Sequence, residues 1–433
     1  MRSGSPVPAS FNALALALPP IAALAPKGVV PLLLIAALPA LVSAWRTGWR
    51  PRPDPVLAGL VLAWMVWALI ASAWTFEPWD AWIMWLRDGA LLVLAVLLHD
   101  VARTRLDPAA RARLGRYLAA GAVLGSLAIA QALLTDHALV RLVTGVPEGA
   151  VPRGDSRLNR GATTLLLVLP AALLAMGSAN RVAAAGLAGA GVAAILATPS
   201  GTALVAVIAA LGTSALALWR SGAARAVLGA AIVAAVAGMP WIADGLAKMP
   251  ENLRNRLPES AQHRLHIWDF TVRRIAERPL WGWGFNSAEA MPNFGTTPFY
   301  PDQSRVIPLH PHNGPLQVRL DLGLPGVAIG LGFALAPLMR MGRASPPGRA
   351  AVHLATLAAA LTIAALAYGI WQEQWLATLA AVAVLLAGTG GTADPPPRAS
   401  DRTACRASAT SAAPRRAVQF ALYPDRSDQH SKN

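Results

Sequence analysis

Charged residues are scarce in this sequence of 433 residues, since Asp, Glu, Lys and Arg make up 14% of it. Soluble domains contain about a quarter. Together with the long apolar stretches, this scarcity excludes a cytosolic enzyme and a disordered chain. Cysteine is scarcer still, and the single Cys405 excludes an intrachain disulfide. There are 22 acidic residues and 37 Lys and Arg, which gives a net charge of +15. This excess does not indicate nucleic-acid binding, because that would need a polar basic face to meet the phosphates. The sequence therefore predicts a membrane protein with no nucleic-acid partner.

Hydrophobic residues make up 55% of the sequence and form runs that could cross a bilayer, which takes about 17–25 residues per helix. Because lipid offers no partners for backbone N–H and C=O groups, these runs must be helical. We predict an all-α integral membrane protein with about 12 transmembrane helices. We expect the first to be retained rather than cleaved as a signal peptide, because a second span follows at once. The candidate spans are 11–25, 29–45, 55–74, 82–98, 117–134, 161–177, 182–197, 203–219, 226–240, 324–339, 351–371 and 376–386.

The basic residues predict the orientation, because Lys and Arg of short loops stay on the cytoplasmic side. With both termini cytoplasmic, 22 of the 37 basic residues lie on that side. The chain then divides into helices 1–9 with short loops (1–240), one large loop on the outer side (241–323), helices 10–12 (324–388) and a basic cytoplasmic tail (389–433). The tail is rich in Pro, Ser, Arg and Ala without apolar periodicity, so we expect it to be disordered.

Thirteen basic residues on the outer side oppose this trend and ask for a functional explanation. Four lie in the loop 135–160, of which Arg153, Arg157 and Arg160 come just before the span 161–177, and the other nine lie in the large loop. Within that loop, apolar residues recur at intervals of three and four along 260–275, which predicts a helix. Its basic residues lie off the apolar stripe, so we expect a helix in the membrane interface, with the stripe facing the acyl chains. The stripe consists of Leu265, Trp268, Val272 and Ile275.

Three motifs of the sequence resemble the O-antigen ligase and O-antigen polymerase family of integral membrane glycosyltransferases. The first is Arg-Leu-His-Ile-Trp at 264–268, and the second is Glu-Arg-Pro-Leu-Trp-Gly-Trp-Gly at 277–284. In the third, His312 and Asn313 are followed after nine residues by Gly-Leu-Pro-Gly at 323–326. Leu-Asn-Arg-Gly at 158–161 is similar to the family's arginine segment, although Thr164 stands where the family often has Leu.

The resemblance implies an inverting transfer of a glycan from undecaprenyl diphosphate to a sugar hydroxyl, on the periplasmic face of a bacterial inner membrane. The acceptor would be lipid A-core or another glycan. Arg is suited to the diphosphate because its planar fork binds phosphate oxygens two at a time, and His312 is suited to act as a general base near neutral pH. We predict His312, Arg264 and Arg160 as catalytic residues, although Arg157 remains an alternative to Arg160. The predicted substrate-binding residues are Arg157, Asn313, His310, His266 and Trp268.

Several alternatives remain open at this point. A polymerase of the same family would extend a lipid-linked repeat instead of joining a finished polysaccharide to an acceptor. A transporter of lipid-linked glycan would perform no catalysis, and only Arg87 and Asp88 inside a span favour it. A metal site could use His310 and His312, or His263 and His266, with Asp269 or Asp302, but we expect no cofactor and no metal because an Asp-x-Asp motif is missing. The interfacial Trp residues would anchor the loop to membrane lipids.

Overall fold

The computed structural model describes residues 6–145, 147, 156–177, 180–292, 306–307, 309–341 and 345–390. All regular secondary structure in these ranges is helical, which confirms the predicted all-α class. Asp302 and the predicted tail from residue 391 onward lie outside them. The helices are α1 (Pro6–Leu24), α2 (Val29–Arg46), α3 (Pro55–Ala71), α4 (Pro78–Arg105), α5 (Pro108–Leu134), α6 (Ala138–Thr144), α7 (Ser156–Met176), α8 (Arg181–Leu196), α9 (Gly201–Ala237), α10 (Met239–Ala247), α11 (Glu251–Arg254), α12 (Glu259–Glu277), α13 (Ser287–Ala290), α14 (Gly314–Arg340), α15 (Pro347–Leu366) and α16 (Glu373–Gly388).

Within the described ranges, nine helical segments are long and apolar enough to cross a membrane, and α8 and α16 are shorter apolar helices. Large apolar side chains are exposed on these helices, such as Ile35, Leu38 and Leu62, each more than three-fifths exposed. Such side chains are stable when they face lipid, so the chain is a multi-pass membrane protein. The count of twelve is not confirmed. One reason is that the predicted spans 203–219 and 226–240 both fall largely in α9, which departs from helical geometry at Arg220.

Small residues allow the first helices to pack closely. A Cβ added to Gly121 of α5 would lie 2.1 Å from the carbonyl oxygen of Ala15 in α1. One added to Gly161 of α7 would lie 2.7 Å from the Cα atom of Ala23, also in α1. Close backbone approach of this kind stabilises helix pairs in lipid, where burial of apolar side chains contributes little. The packing holds the start of α7, with Arg160, against α1.

The charged residues predicted inside the fourth span have different environments in α4. The Arg87 Nη1 atom lies 2.9 Å from Oε1 of Glu373 at the start of α16, so this arginine has the partner that a membrane position requires. The Asp88 side chain is fully buried, and neither of its oxygens accepts a hydrogen bond from the described residues. Of these two charged residues, Arg87 is therefore the one that forms an ion pair with α16 among the described residues.

The helix predicted at 260–275 exists as α12, but the prediction that its apolar stripe faces the acyl chains is wrong. Leu265, Trp268 and Ile275 are each less than a tenth exposed, and the helix packs against α10 and α14. Ile267, outside the predicted stripe, is fully buried. An amphipathic period arises equally from packing on protein and from lying on lipid, so the pattern alone could not separate the two.

The large loop ends earlier than predicted, because α14 begins at Gly314 rather than at 324. Asn313 is its N-cap, with the side-chain oxygen accepting from the Leu316 N–H at 3.0 Å. The backbone departs from helical geometry at Gly323, with φ +63°. A glycine followed two residues later by Pro325 is typical of a helix boundary, yet here it marks a break within one long helix.

The Trp-Gly-Trp-Gly segment docks onto this break. The carbonyls of Leu320 and Asp321 lose their helical partners there and accept instead from the N–H groups of Trp283 (2.8 Å) and Gly284 (3.0 Å). In return, the Leu280 carbonyl accepts from the Leu324 N–H at 2.8 Å. We call the segment 280–284 the clasp. It satisfies backbone groups that would otherwise be unpaired in a membrane-spanning helix.

Candidate active site

His312 lies in a tight turn directly before α14, with a backbone φ of +53°. This left-handed conformation is uncommon for a residue other than glycine and persists only when its surroundings impose it. Three hydrogen bonds do so. The His312 N–H donates to Nδ1 of His310 (3.1 Å), the Trp268 indole N–H donates to the Pro311 carbonyl (3.0 Å), and Asn313 caps the helix. Trp268 is therefore a support of this turn and not a membrane anchor.

The ring of His312 is held in a defined tautomer. Its Nδ1 atom lies 2.8 Å from the carbonyl oxygen of Ala367, which can only accept, so Nδ1 carries the proton. The Nε2 atom is then the proton acceptor. Burial lowers the pKa of His312 from its ordinary 6.5; the bond to Ala367 opposes this and the charge of Arg264 reinforces it. At neutral pH the ring is therefore neutral and suited to accept a proton.

His310 is a structural neighbour of His312, with ring centroids 4.3 Å apart. Its Nδ1 accepts from the His312 backbone, and its Nε2 lies 3.0 Å from the amide of Gln372. The atom at this distance is the Gln372 amide nitrogen. Because Nδ1 of His310 accepts, the proton of the neutral ring is on Nε2, and the amide oxygen of Gln372 accepts from it once the amide is turned by half a turn. Burial lowers the pKa of His310 to about 3, with His312 and Arg160 adding to the effect.

Helix α12 brings Arg264 towards these histidines. Its charge lowers the pKa of both His312 and His263, so all three side chains share one electrostatic environment. Burial is the larger cause for His263, whose pKa falls to about 4. His266 lies one turn further along the helix, is half-buried, and also acts on His263.

Arg160 lies on α7 in a small pocket lined by residues of α1, α2, α7 and α16. The Gln374 amide oxygen, in the orientation that satisfies both groups, accepts from the Nε (3.2 Å) and Nη2 (2.7 Å) atoms of Arg160. Beneath it the Thr163 and Tyr368 hydroxyls are 2.9 Å apart. Burial raises the pKa of Tyr368 to about 12, so its hydroxyl keeps its proton. Arg157 lies one turn before Arg160 and is half-buried.

Among the described residues, no group of three or more His, Cys, Asp or Glu side chains lies close enough to hold a metal ion. Both ring nitrogens of His310 already make hydrogen bonds, and the Nδ1 of His312 does as well. The arrangement in the described part of the loop is therefore one of neutral histidines beside arginines, which suits proton transfer and phosphate binding.

Sequence reasoning missed the segment made of the connection from α15 to α16 and the first two residues of α16, which we call the 367–374 turn. The predicted span 351–371 included its first five residues, whereas α15 ends at Leu366. Gln372, Glu373 and Gln374 follow one another there, and three consecutive polar residues between apolar helices were an available signal. This turn contacts His312, His310 and Arg160, which the sequence had treated as separate motifs.

The fold and these side chains define a multi-pass, all-helical membrane protein with a histidine and arginine site beside its long loop. Residues 184–331 match the family model described as O-antigen ligase. Over this segment the chain is similar to the O-antigen ligase family, as its motifs indicated. The matched segment includes Arg264 and the turn with His312, while Arg160 and the 367–374 turn lie outside it.

Curated relatives agree with this match. A protein of Rickettsia bellii named "putative polysaccharide ligase" is 34% identical over 129 residues, which are 29% of this chain and 32% of the relative. A similarly named protein of Rickettsia prowazekii is 31% identical over 137 residues, which are 29% of this chain and 33% of the relative. One of Rickettsia conorii is 31% identical over 134 residues, which are 29% of this chain and 31% of the relative. The chain thus matches about a third of the length of these relatives.

Proposed function

We propose that the protein is an inverting, metal-independent glycosyltransferase of the O-antigen ligase type. It transfers a polysaccharide from undecaprenyl diphosphate to a sugar hydroxyl of lipid A-core on the periplasmic face of the inner membrane. The observation that carries the proposal is the tautomer of His312, whose Nδ1–H donates to Ala367 and leaves Nε2 as the proton acceptor. A neutral histidine beside Arg264, with Arg160 held close to the same turn, matches the two needs of this reaction.

In the proposed step the acceptor oxygen attacks the anomeric carbon of the lipid-linked sugar. The bond between that carbon and the phosphate oxygen breaks, undecaprenyl diphosphate leaves with the electron pair, and the hydroxyl proton passes to Nε2 of His312. Attack from the side opposite to the leaving group inverts the anomeric centre. General-base catalysis of this kind contributes roughly 10²- to 10⁴-fold to the rate.

The leaving diphosphate gains negative charge as the bond breaks, and Arg264 and Arg160 are the proposed cations that stabilise it. Arginine keeps its charge at any physiological pH and bonds phosphate oxygens through a rigid fork. A fixed donor aimed at developing charge in a site shielded from water is worth about 3–4 kcal/mol, by analogy with oxyanion holes. Arg157 and His266 are proposed to contact the glycan or diphosphate at the edges of the site.

The proposal is tested with purified protein in liposomes, a lipid-linked polysaccharide, lipid A-core and EDTA. We expect the ligated product to form, with inverted anomeric configuration by NMR. The control Arg273→Ala changes an exposed arginine of the same helix, paired with Asp269, and should leave the rate within about twofold. Loss of activity in EDTA that a divalent cation restores would contradict metal independence. Extension of the donor without acceptor would indicate a polymerase, and movement of glycan lipid without product would indicate a transporter.

A further inference from the structure

The 367–374 turn contacts both His312 and Arg160, two of the predicted catalytic residues. At its start, the Ala367 carbonyl accepts from the His312 ring, and the Tyr368 hydroxyl meets Thr163 of α7. A Cβ added to Gly369 would lie 2.9 Å from the ring of His310, so this turn packs directly against that histidine. At its end, Gln374 holds Arg160. One short segment thus contacts the predicted base and a predicted cation.

The centre of the turn is anchored to α14, the helix that begins next to His312. The Ile370 N–H donates to the Gln317 side chain at 2.9 Å, and the Trp371 indole donates to Asp321 at 2.8 Å. Asp321 is fully buried and also accepts from Ser287 Oγ (2.9 Å). These buried hydrogen bonds leave the turn little freedom, since breaking one would leave a polar group unpaired in an apolar environment.

Gln374 is a neutral partner for Arg160, and this neutrality has a consequence. An amide oxygen that accepts from two guanidinium nitrogens fixes the direction of the fork without compensating its charge. A carboxylate in the same place would fix the fork equally well but would compete with any phosphate for the cation. Arg160 therefore keeps its positive charge for an anionic ligand.

Gln372 acts on the histidines of the site, His310 and His312. It holds the Nε2 side of the His310 ring (3.0 Å), while Nδ1 of the same ring holds the strained backbone N–H of His312 (3.1 Å). A rotation of His310 would release that N–H and with it the left-handed turn. Gln372 thus fixes the position of His312 through His310.

We propose that Gln374 and Gln372 are positioning residues, which align Arg160 and His312 with each other across the lipid diphosphate. The proposal rests on the proposed function. It explains how the base, in the turn before α14, and the cation, on α7, are held by one framework. Misplacement of a reacting group by about 1 Å can cost on the order of 100-fold in rate, so loss of either glutamine reduces the rate although neither touches the reacting atoms.

The test measures kcat and KM for the lipid-linked donor, and separately the binding of undecaprenyl diphosphate alone to protein in nanodiscs. The variants are Gln374→Ala, Gln374→Glu and Gln372→Ala, with Gln131→Ala as the matched control. Gln131 lies on α5 and bonds within its own helix end, to Thr135. Thermal unfolding of each variant confirms that it folds.

We expect kcat/KM to fall roughly 10- to 100-fold in Gln374→Ala, and at least as much in Gln374→Glu, although Glu restores the hydrogen bonds. Gln372→Ala should lower kcat with little change in KM. In an Arg160→Ala background, Gln374→Ala should add no further loss. Full activity of Gln374→Glu, or losses in the double variant that multiply, would overturn the proposal.

Absence of product from the wild-type protein would overturn the proposed function, and diphosphate binding then decides the positioning role by itself. Roughly tenfold weaker binding by Gln374→Ala and Gln374→Glu, equal to that of Arg160→Ala, would support it. Binding equal to that of Gln131→Ala would overturn it.

Discussion

His312 combines a left-handed backbone, which costs conformational energy, with a ring whose tautomer is fixed by a hydrogen bond. Strain of this kind amounts to about 1–3 kcal/mol and clusters at functional sites. Here the hydrogen bonds from His310 and Trp268 hold the turn. The sequence motifs named these residues but kept them in separate motifs, and they could not reveal which nitrogen of His312 accepts the proton.

The acid limb of the pH profile follows from the pKa of His312. Burial lowers this pKa below 6.5, and only the neutral ring accepts a proton. We therefore expect kcat/KM to be constant above pH 6.5 and to fall as the pH drops through the lowered pKa. A profile whose acid limb lies above pH 6.5 would contradict the assignment.

Substitution of Arg264 should shift the acid limb of this pH profile. Its charge lowers the pKa of His312, so Arg264→Gln should raise the pKa and shift the acid limb to higher pH, in addition to lowering the rate. Arg273→Gln removes the same charge about two and a half turns further along α12, where Asp269 already pairs with Arg273. We expect the acid limb of the Arg273→Gln profile to match that of the wild type. An equal shift of the limb in both variants would argue against a specific effect of Arg264.

At the scale of elements, the break in α14 and the clasp depend on each other. Gly282 has φ +71°, and a Cβ there would lie 2.7 Å from both the Gly323 nitrogen and the Leu320 oxygen. Neither contact is with a flexible side chain, so the clasp and the helix would have to separate. The carbonyls of Leu320 and Asp321 would then lose the donors that the clasp supplies.

Gly282→Ala should therefore destabilise the protein by at least about 1–3 kcal/mol, the usual range for strain at such a position. The matched control is Gly189→Ala on α8, where a Cβ meets nothing within 4 Å and alanine favours the helix. We expect thermal unfolding in detergent to show a lowered Tm for Gly282→Ala only. Equal Tm values for the two variants would mean that the clasp contributes nothing to stability.

The helix boundaries show where sequence reasoning succeeded and failed. Most spans were predictable because lipid requires long apolar helices. The start of α14 was missed because Gly323 and Pro325 were interpreted as the boundary of the helix. The earlier signal, an N-cap followed by a first-turn proline in Asn313-Gly314-Pro315, marks the true start. The 367–374 turn was missed for another reason. Its partners lie 50 or more residues away in sequence, and no local period records such contacts.

At the scale of the whole molecule, the predicted orientation places both termini in the cytoplasm and the loop with Arg264 in the periplasm. The single cysteine offers a native reporter, because Cys405 lies in the tail. In intact cells a maleimide that cannot cross the inner membrane should leave Cys405 unlabelled, and permeabilised cells should become labelled. The positive-inside distribution of 22 basic residues is the reason for this expectation.

A second reporter checks the opposite side. Ser260→Cys, in a Cys405→Ala background, places a thiol at an exposed position near the start of α12. We expect this thiol to be labelled in intact cells. Labelling of Cys405 rather than of Ser260→Cys would reverse the orientation and place the site on the cytoplasmic face.

The most direct test of the central claim is the initial rate of glycan transfer by His312→Ala in liposomes, compared with the wild type at equal amounts of folded protein. Loss of the general base should lower kcat by at least about 100-fold, while binding of undecaprenyl diphosphate, which the arginines provide, should change little. A rate within threefold of the wild type would contradict the account, because the proton of the acceptor hydroxyl would then have another destination.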